Sequence, residues 1–233
     1  MLCGTNMTDI KISNRSAILR LLHEAGAMSR KQIAARLKLT PATITVIINE
    51  LMNESILVEG NSVPNAGAVG RREVMVEISR EKYVALGLAL SQGLVKFTVV
   101  NLHGEIIHEE TFKLPEILTP EYFAETIGRQ IQLKIASYGY SENFIIGIGI
   151  TVCGVVDFAN GIILDSDGIW EEKNVPIVKM FRKQFSFPVI AANNVRSYAN
   201  AYAFLQHDSQ LQNMLFIRNE ATIHYPNGYL RKE

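Results

Sequence analysis

Cysteine is almost missing from this chain of 233 residues, in which Cys3 and Cys153 are the full complement. Two thiols cannot build the multi-bridge framework of a small secreted domain, nor supply the ligands of a four-cysteine structural zinc site. The histidines are scattered, so no metal site and no cofactor are expected. Long apolar runs are missing too. No stretch reaches the ~18 uninterrupted apolar residues that a membrane span requires, and the opening MLCGTNMTDIKISNR lacks the apolar segment of a secretory signal. These absences predict a cytoplasmic protein with no membrane partner. Net charge is absent as well, 23 Lys plus Arg balancing 23 Asp plus Glu, which excludes a polyelectrolyte tail or an acidic disordered chain. What is present is 48% hydrophobic residues, enough for a substantial core, over a length that suits one large domain or two small ones.

The overall neutrality hides an asymmetry. Residues 11–48 carry seven basic side chains (Lys11, Arg15, Arg20, Arg30, Lys31, Arg36, Lys38) against the single acid Glu24, a local excess of six positive charges. From Tyr83 onward 12 basic residues face 15 acidic ones, so the remainder is mildly acidic. Two domains with different partners are therefore expected, the basic one facing a polyanion. A solvated basic face is the alternative on charge alone.

The first eighty residues read as helices and then a hairpin. Ser13 is a candidate cap for a helix that carries Ile18, Leu21, Leu22 and Ala25 on one face and ends at Gly26. A second helix starts at Ser29 and turns Ile33, Ala34 and Leu37 inward. After the short turn Lys38-Leu39-Thr40, a third helix has Thr40 as N-cap and Pro41 at its first position. This is the spacing of a helix-turn-helix. On the third helix Ile44, Ile47, Ile48 and Leu51 form the inward stripe, which leaves Ala42, Thr45, Val46 and Asn49 facing outward. Small and polar side chains near a helix N-terminus let it enter the major groove of double-stranded DNA and touch bases and phosphates. A plain three-helix bundle is the competing reading.

The segment downstream of these helices favours DNA binding over the plain bundle. Ile56-Leu57-Val58 reads as a strand, and Val74, Val76 and Ile78 alternate with Glu73, Met75 and Glu77 in another. Between them runs a loop rich in Gly, Asn and Pro that closes on Gly70-Arg71-Arg72. A hairpin with arginines at its base is a wing, and Arg71 and Arg72 can reach phosphates or a narrow minor groove. Ion pairs with Glu73 or Glu77 are their alternative role. The expected DNA-binding set is Ser29, Lys31, Thr40, Pro41, Ala42, Thr43, Thr45, Asn49, Arg71 and Arg72.

From Tyr83 the pattern becomes strands joined by tight turns: YVALGLALS, LVKFTVVNL, a His103-Gly104 turn and EIIHEETFKL. Thr119-Pro120 opens a long helix with Phe123, Ile127, Ile131 and Ile135 inward. The run FIIGIGITV then has the character of a buried central strand. A hairpin turning at Ala159-Asn160-Gly161, a helix from Val178 to Phe185, the strand Val189 to Ala192 and a helix opening at Asn193-Asn194 complete a βββαβαβα order. A final strand is expected at Met214 to Ile217.

The segment GIGITVCGVVDFANGIILDSDGIWEEKNVPIVKMFRKQFSFPVIAANNVRSYANAYA resembles the sugar-binding lobe of the ROK family of repressors, open reading frames and kinases. The upstream helices and the GAVGRREVMVEI wing resemble those of its repressor branch, the likeness running from residue 13 to about 217. The resemblance implies an α/β fold class: a winged helix-turn-helix over residues 1–80, then one actin-like lobe of ribonuclease H-like, sugar-kinase type over 81–217. The last residues, 218–233, form an atypical tail, the second lobe is missing, and the chain is expected to be truncated. It further implies a DNA-binding repressor of carbohydrate metabolism, with operator DNA and a sugar effector as partners and a possible homodimer.

Family kinases hold ATP with an Asp-x-Gly-Gly-Thr loop and activate the sugar hydroxyl with the Asp of an Asn-Asp pair. Here Ala89 stands at the loop Asp, Ser91, Gln92 and Gly93 replace Gly-Gly-Thr, and Asn193-Asn194 replaces Asn-Asp. Side chains at Ser91 and Gln92 obstruct the close backbone approach of a phosphate cradle, and an amide cannot accept a proton as general base. No catalytic residue is therefore assigned. Gly154, Val155, Asn193 and Asn194 remain as candidate sugar contacts, with structural capping the alternative for the two asparagines. Sugar binding is expected to be weak or lost in a half cleft. Asp157 is expected to organise its turn and Trp170 to join the core. The rival readings are a ROK sugar kinase carrying a DNA-binding domain and a nonfunctional repressor fragment.

Overall fold

The computed structural model describes residues 6–60, 73–91, 93–114, 119–205, 216–217, 222–225 and 228–231. The chain opens with helix α1 (Met7–Ala25), strand β1 (Met28–Ser29), helices α2 (Arg30–Leu37) and α3 (Pro41–Asn53), and strands β2 (Leu57–Glu59) and β3 (Met75–Ile78). The lobe continues with β4 (Val84–Ser91), β5 (Leu94–Asn101), β6 (Ile106–Lys113), α4 (Pro120–Ser137), β7 (Ile145–Val152), β8 (Val155–Asp157), β9 (Ile162–Asp165), α5 (Ile177–Arg182), β10 (Val189–Asn193) and α6 (Asn194–Leu205). A short hairpin, β11 (Thr222–Tyr225) and β12 (Gly228–Arg231), comes last.

The local signals set most helix ends. Gly26 closes α1 at φ 74° with its N–H on the Leu22 carbonyl, a conformation that glycine adopts without a Cβ penalty. Ser29 caps α2 through a capping box: its hydroxyl accepts from Gln32 N–H while the Gln32 side chain accepts from Ser29 N–H. Thr40 and Thr119 cap α3 and α4, each with proline next at the first helical position. The start of α1 differs from the sequence reading. Helix α1 begins at Met7 with Asn6 as N-cap, which leaves Ser13 in mid-helix. The extra turns carry Lys11, which pairs with Glu50 of α3 at 2.8 Å, a tertiary contact that periodicity along α1 does not reveal.

Two cores form. The first gathers Ile18, Leu21 and Leu22 of α1, Ile33 and Ala34 of α2, the Ile44, Ile47, Ile48 and Leu51 stripe of α3, and Leu57, Val76 and Ile78 of the hairpin. Its sheet has the order β1-β3-β2, β1 being a strand too short to show in the sequence pattern. Residues 61–72, the loop of the expected wing with Arg71 and Arg72, lie outside the described residues, as does Gln92.

The second core belongs to a five-stranded sheet of order β10-β7-β4-β5-β6. Strands β4, β5 and β6 form an antiparallel meander, while β7 runs parallel to β4, and β10 parallel to β7. With the small β8–β9 hairpin set apart, the chain order βββαβαβα is the one expected of an actin-like lobe. Helices α4 and α5 bury Phe123, Ile127, Ile131, Ile177 and Phe181 together with one face of the sheet. Trp170 joins them, its ring centroid 5.4 Å from that of Phe123. Helix α5 stops at Arg182, short of the expected Phe185, which is nonetheless buried. Met214 and Leu215 fall outside the described residues, and Phe216 and Ile217 belong to no strand.

Side chains tie the two cores together. Tyr83 Oη donates to the Glu54 carbonyl at the end of α3 at 3.1 Å, Lys82 Nζ donates to Ser55 Oγ at 2.9 Å, and His103 Nε2 lies 3.0 Å from the Ile78 carbonyl. Leu102 packs against the smaller core.

Candidate functional site

The two regions singled out in the sequence lie on different elements and are built differently. The first is the outer face of α3. Its buried stripe fixes which side chains point away, so Pro41, Ala42, Thr45, Val46 and Asn49 are exposed and Thr43 is half-exposed. Thr40 Oγ1 accepts from Thr43 N–H at 3.2 Å and lies 2.8 Å from Thr43 Oγ1. Thr45 Oγ1 donates to the Pro41 carbonyl at 2.8 Å. Lys31 is exposed on the neighbouring helix. Ser29 belongs elsewhere: it is 3% exposed and its hydroxyl is committed to the capping box, so its role is to shape the turn into α2.

Two residues at this face are absent from the set expected from sequence. Arg30, the first residue of α2, places Nη2 3.4 Å from Asn49 Oδ1 and 3.5 Å from Met52 Sδ, so a basic group sits beside the outward amide. Val46 is 57% exposed, an apolar side chain on the face where a thymine methyl group can be met. Along the chain Arg30 contributes only to the charge total, because its pairing across 19 residues has no local signal.

The basic excess is smaller than the count along the chain suggests. Arg15 pairs with Glu54 and with Glu50, and Lys11 with Glu50, acids that lie just past the counted window. The hydrogen bonds from Arg15 hold the Glu54 carboxyl below the ordinary carboxylate range, and the same contact raises the Arg15 guanidinium. These pairs clamp α1 to α3. Arg30, Lys31, Arg36 and Lys38 make no ion pair with another described residue.

The second region lies at the carboxyl ends of the parallel strands. Asn193 is in register with Val152, and Thr151 stands between Ala89 and Ala192 in one row across β4, β7 and β10. The fold therefore brings Ala89 and the Asn193-Asn194 pair to the same edge of the sheet, where open α/β sheets take their ligands. Asn193 Nδ2 donates to the Gly154 carbonyl at 2.6 Å, and its Oδ1 accepts from Val195 N–H at 2.8 Å and Arg196 N–H at 3.4 Å. Asn194 Oδ1 accepts from Val195 N–H. Gly154 sits at φ 133°, and a Cβ there would collide with the Asp165 carbonyl of β9. Val155 pairs with Asp165 across the β8–β9 hairpin and is exposed. Asp157 takes the side chain and backbone N–H of Asn160, contacts that lower its pKa and make it the organiser of that turn. Among the described residues there is no cluster of three or more metal-ligating side chains, and no helix is long and apolar enough to cross a membrane.

Two family models match the chain: ROK family over residues 86–220, and winged helix-turn-helix DNA-binding over residues 13–58. Among curated proteins, the DNA-binding transcriptional dual regulator NagC of Escherichia coli is 26% identical over 213 residues, covering 91% of this chain and 52% of its own. A putative xylose repressor of Caldicellulosiruptor is 27% identical over 191 residues, covering 82% and 47%. The chain thus spans about half the length of the curated relatives it matches. A crystal structure of a ROK family transcriptional regulator, a homologue of the E. coli Mlc protein, superposes with a TM-score of 0.68 at 24% identity over 83% of this chain and 48% of that one, which establishes the shared fold.

Proposed function

The chain belongs to the ROK family, and from that membership we propose that it is a DNA-binding transcriptional regulator of carbohydrate metabolism, a repressor that senses a sugar through a non-catalytic lobe. The observation that carries this reading is the outward face of α3, small and polar beside the basic residues Arg30 and Lys31, set directly upstream of a lobe whose kinase positions hold Ala89 and Asn194. Relatives named as regulators and repressors support it. The chain divides into a DNA-binding domain over 1–80, a ROK lobe over 81–217 and a tail over 218–233, and it acts in the cytoplasm.

Thr40, Pro41, Ala42, Thr43, Thr45 and Asn49 enter the major groove of operator DNA. Lys31 reaches the phosphate backbone, and Arg71 and Arg72 anchor the wing. A homodimer is the arrangement that sets two such helices in successive half-sites. At the sheet edge, Gly154, Val155, Asn193 and Asn194 offer carbonyl, N–H and amide groups to sugar hydroxyls. An alanine methyl cannot replace the loop carboxylate, and an amide cannot serve as general base, so phosphoryl transfer has no apparatus here. Sugar binding shifts the population of DNA-competent states.

The test is fluorescence anisotropy of the chain on labelled DNA from its own upstream region, at two salt concentrations and with unrelated DNA as competitor. Selective binding that weakens steeply with salt is expected. Affinity no greater than for the competitor overturns the reading. A coupled ADP-release assay over a panel of hexoses is expected to show no turnover; turnover would move the chain to the kinase branch.

A further inference from the structure

Helix α6 joins the two regions end to end. At its first turn, Asn193 caps the helix through Val195 and Arg196 and grips the Gly154 carbonyl with its amide. Ser197 Oγ adds a bond to the Asn193 carbonyl at 3.1 Å. The N-terminus of α6 therefore cannot shift without moving the Gly154 loop. Near the other end, Phe204 stacks on His23, with ring centroids 4.2 Å apart and planes at 25°. His23 lies in the last turn of α1, and α1 is clamped to α3 by the Lys11 and Arg15 ion pairs.

Along its length α6 makes surface contacts, Arg196 lying over the Phe158 ring at 4.4 Å and Tyr202 beside Phe216. None of its described side chains is buried, so no interdigitated core resists a tilt of the helix. From Asn194 to Phe204 a helix spans about 15 Å at 1.5 Å per residue, a length over which it is stiff. The joint at its far end has room to move: a groove of about 760 Å³ lies there, lined mainly by apolar side chains including Leu19, Ile56, Leu102 and Phe204. A rigid rod, pinned at one end to the candidate sugar loop and stacked at the other on the DNA-binding domain beside a groove that the described residues leave open, has the mechanical properties of a lever.

We infer that α6 is the coupling element of this protein, with Phe204 and His23 as the positioning pair through which a change at Gly154 and Asn193 reorients α1 and, through the ion-pair clamp, the outward face of α3. This rests on the proposed reading of α3 as the DNA-contacting helix and of the asparagine edge as the sensor, and gives the path between them. Coupling of this kind ordinarily changes the affinity at the distant site by a factor of roughly 5 to 150.

The test perturbs one end and reads the other, with and without the stack. In the full chain, Asn194→Ala and, separately, Asn193→Ala are combined with Phe204→Ala. The readouts are the His23 ring resonances by NMR and DNA affinity by anisotropy. Either asparagine substitution is expected to shift the His23 resonances and to change DNA affinity by about fivefold or more. In the Phe204→Ala background the further shift and the further change should vanish, which a merely local capping defect would not produce. Asn194→Ala removes only a contact to Val195 and keeps the test open should loss of Asn193 unfold the loop. Unmoved His23 resonances in the folded variants, or equal effects with and without Phe204, overturn the inference. If the unaltered chain binds no DNA selectively, the regulator reading fails, while the NMR cycle still decides the coupling.

Discussion

The outer face of α3 and the asparagine edge of the sheet carry comparable side chains, small, hydroxylated or amidated, yet the fold uses them in opposite ways. On α3 the buried stripe meets the structural demand, so Ala42, Val46 and Asn49 are left pointing outward. At the sheet edge the polar groups are themselves structural. Asn193 spends its amide on the Gly154 carbonyl and its oxygen on the first turn of α6. An exposed face whose shape is fixed by the core behind it can dock a rigid partner as it stands, whereas an edge whose polar groups hold a loop to a helix must exchange bonds when a ligand arrives. That exchange is what can make the second region a sensor.

The largest test of this contrast separates the two cores. Leu51, fully buried on α3, changed to alanine should cost about 3 kcal/mol and unfold the DNA-binding region first. Circular dichroism against urea should then become biphasic, the second transition staying with the lobe; a single shared transition would mean that the two cores fold as one. Next in size is Gly154→Ala, which meets both the left-handed backbone and the Asp165 carbonyl. A loss of roughly 2–3 kcal/mol confined to the lobe is expected, and a silent substitution would show that the loop relaxes freely.

Arg71→Ala tests the open face rather than stability. It should weaken binding to all sequences and lower the slope of log affinity against log salt by about one unit, while Thr45→Ala or Asn49→Ala alters which sequence is preferred. An unchanged slope removes the wing from the interface. The smallest effect concerns the α1–α3 clamp. Glu54 has its folded pKa depressed by Arg15, so its contribution is present above the unfolded carboxyl value and is lost as pH falls through the lower folded one. Because the carboxylate is 44% exposed, solvent screening keeps this to about 1 kcal/mol or less. Glu54→Gln should lower stability slightly at neutral pH and flatten the acid limb of a denaturation series below the unfolded carboxyl pKa. An acid limb as steep as before would assign the pH dependence to other carboxylates.

Most of the helix-turn-helix is legible in the sequence because its signals are local. Ser29 with Gln32, Thr40 with Pro41, and the four-residue stripe of α3 lie within a turn or two of one another, and burial follows from their period. The same holds for the meander of the lobe and for Asp157 with Asn160. The start of α1 is not legible, because its first turns have no apolar stripe of their own and gain their partners from α3. The contact between Arg30 and Asn49 is hidden for the same reason. Ser29 reads as a DNA contact in the sequence but is buried in its capping box, because a capping side chain and a groove-facing one look alike along a chain.

The sequence by itself therefore determined the order of the main elements, the caps of α2, α3 and α4 and the buried stripes, since each depends on residue type and short-range spacing. Only the tertiary structure decided which charges pair across elements, that Ala89 and Asn193 share one sheet edge, and that Phe204 meets His23 across the two cores. Those facts depend on contacts between residues from 13 to 181 positions apart, and such contacts are set by packing of whole elements, which no local pattern encodes.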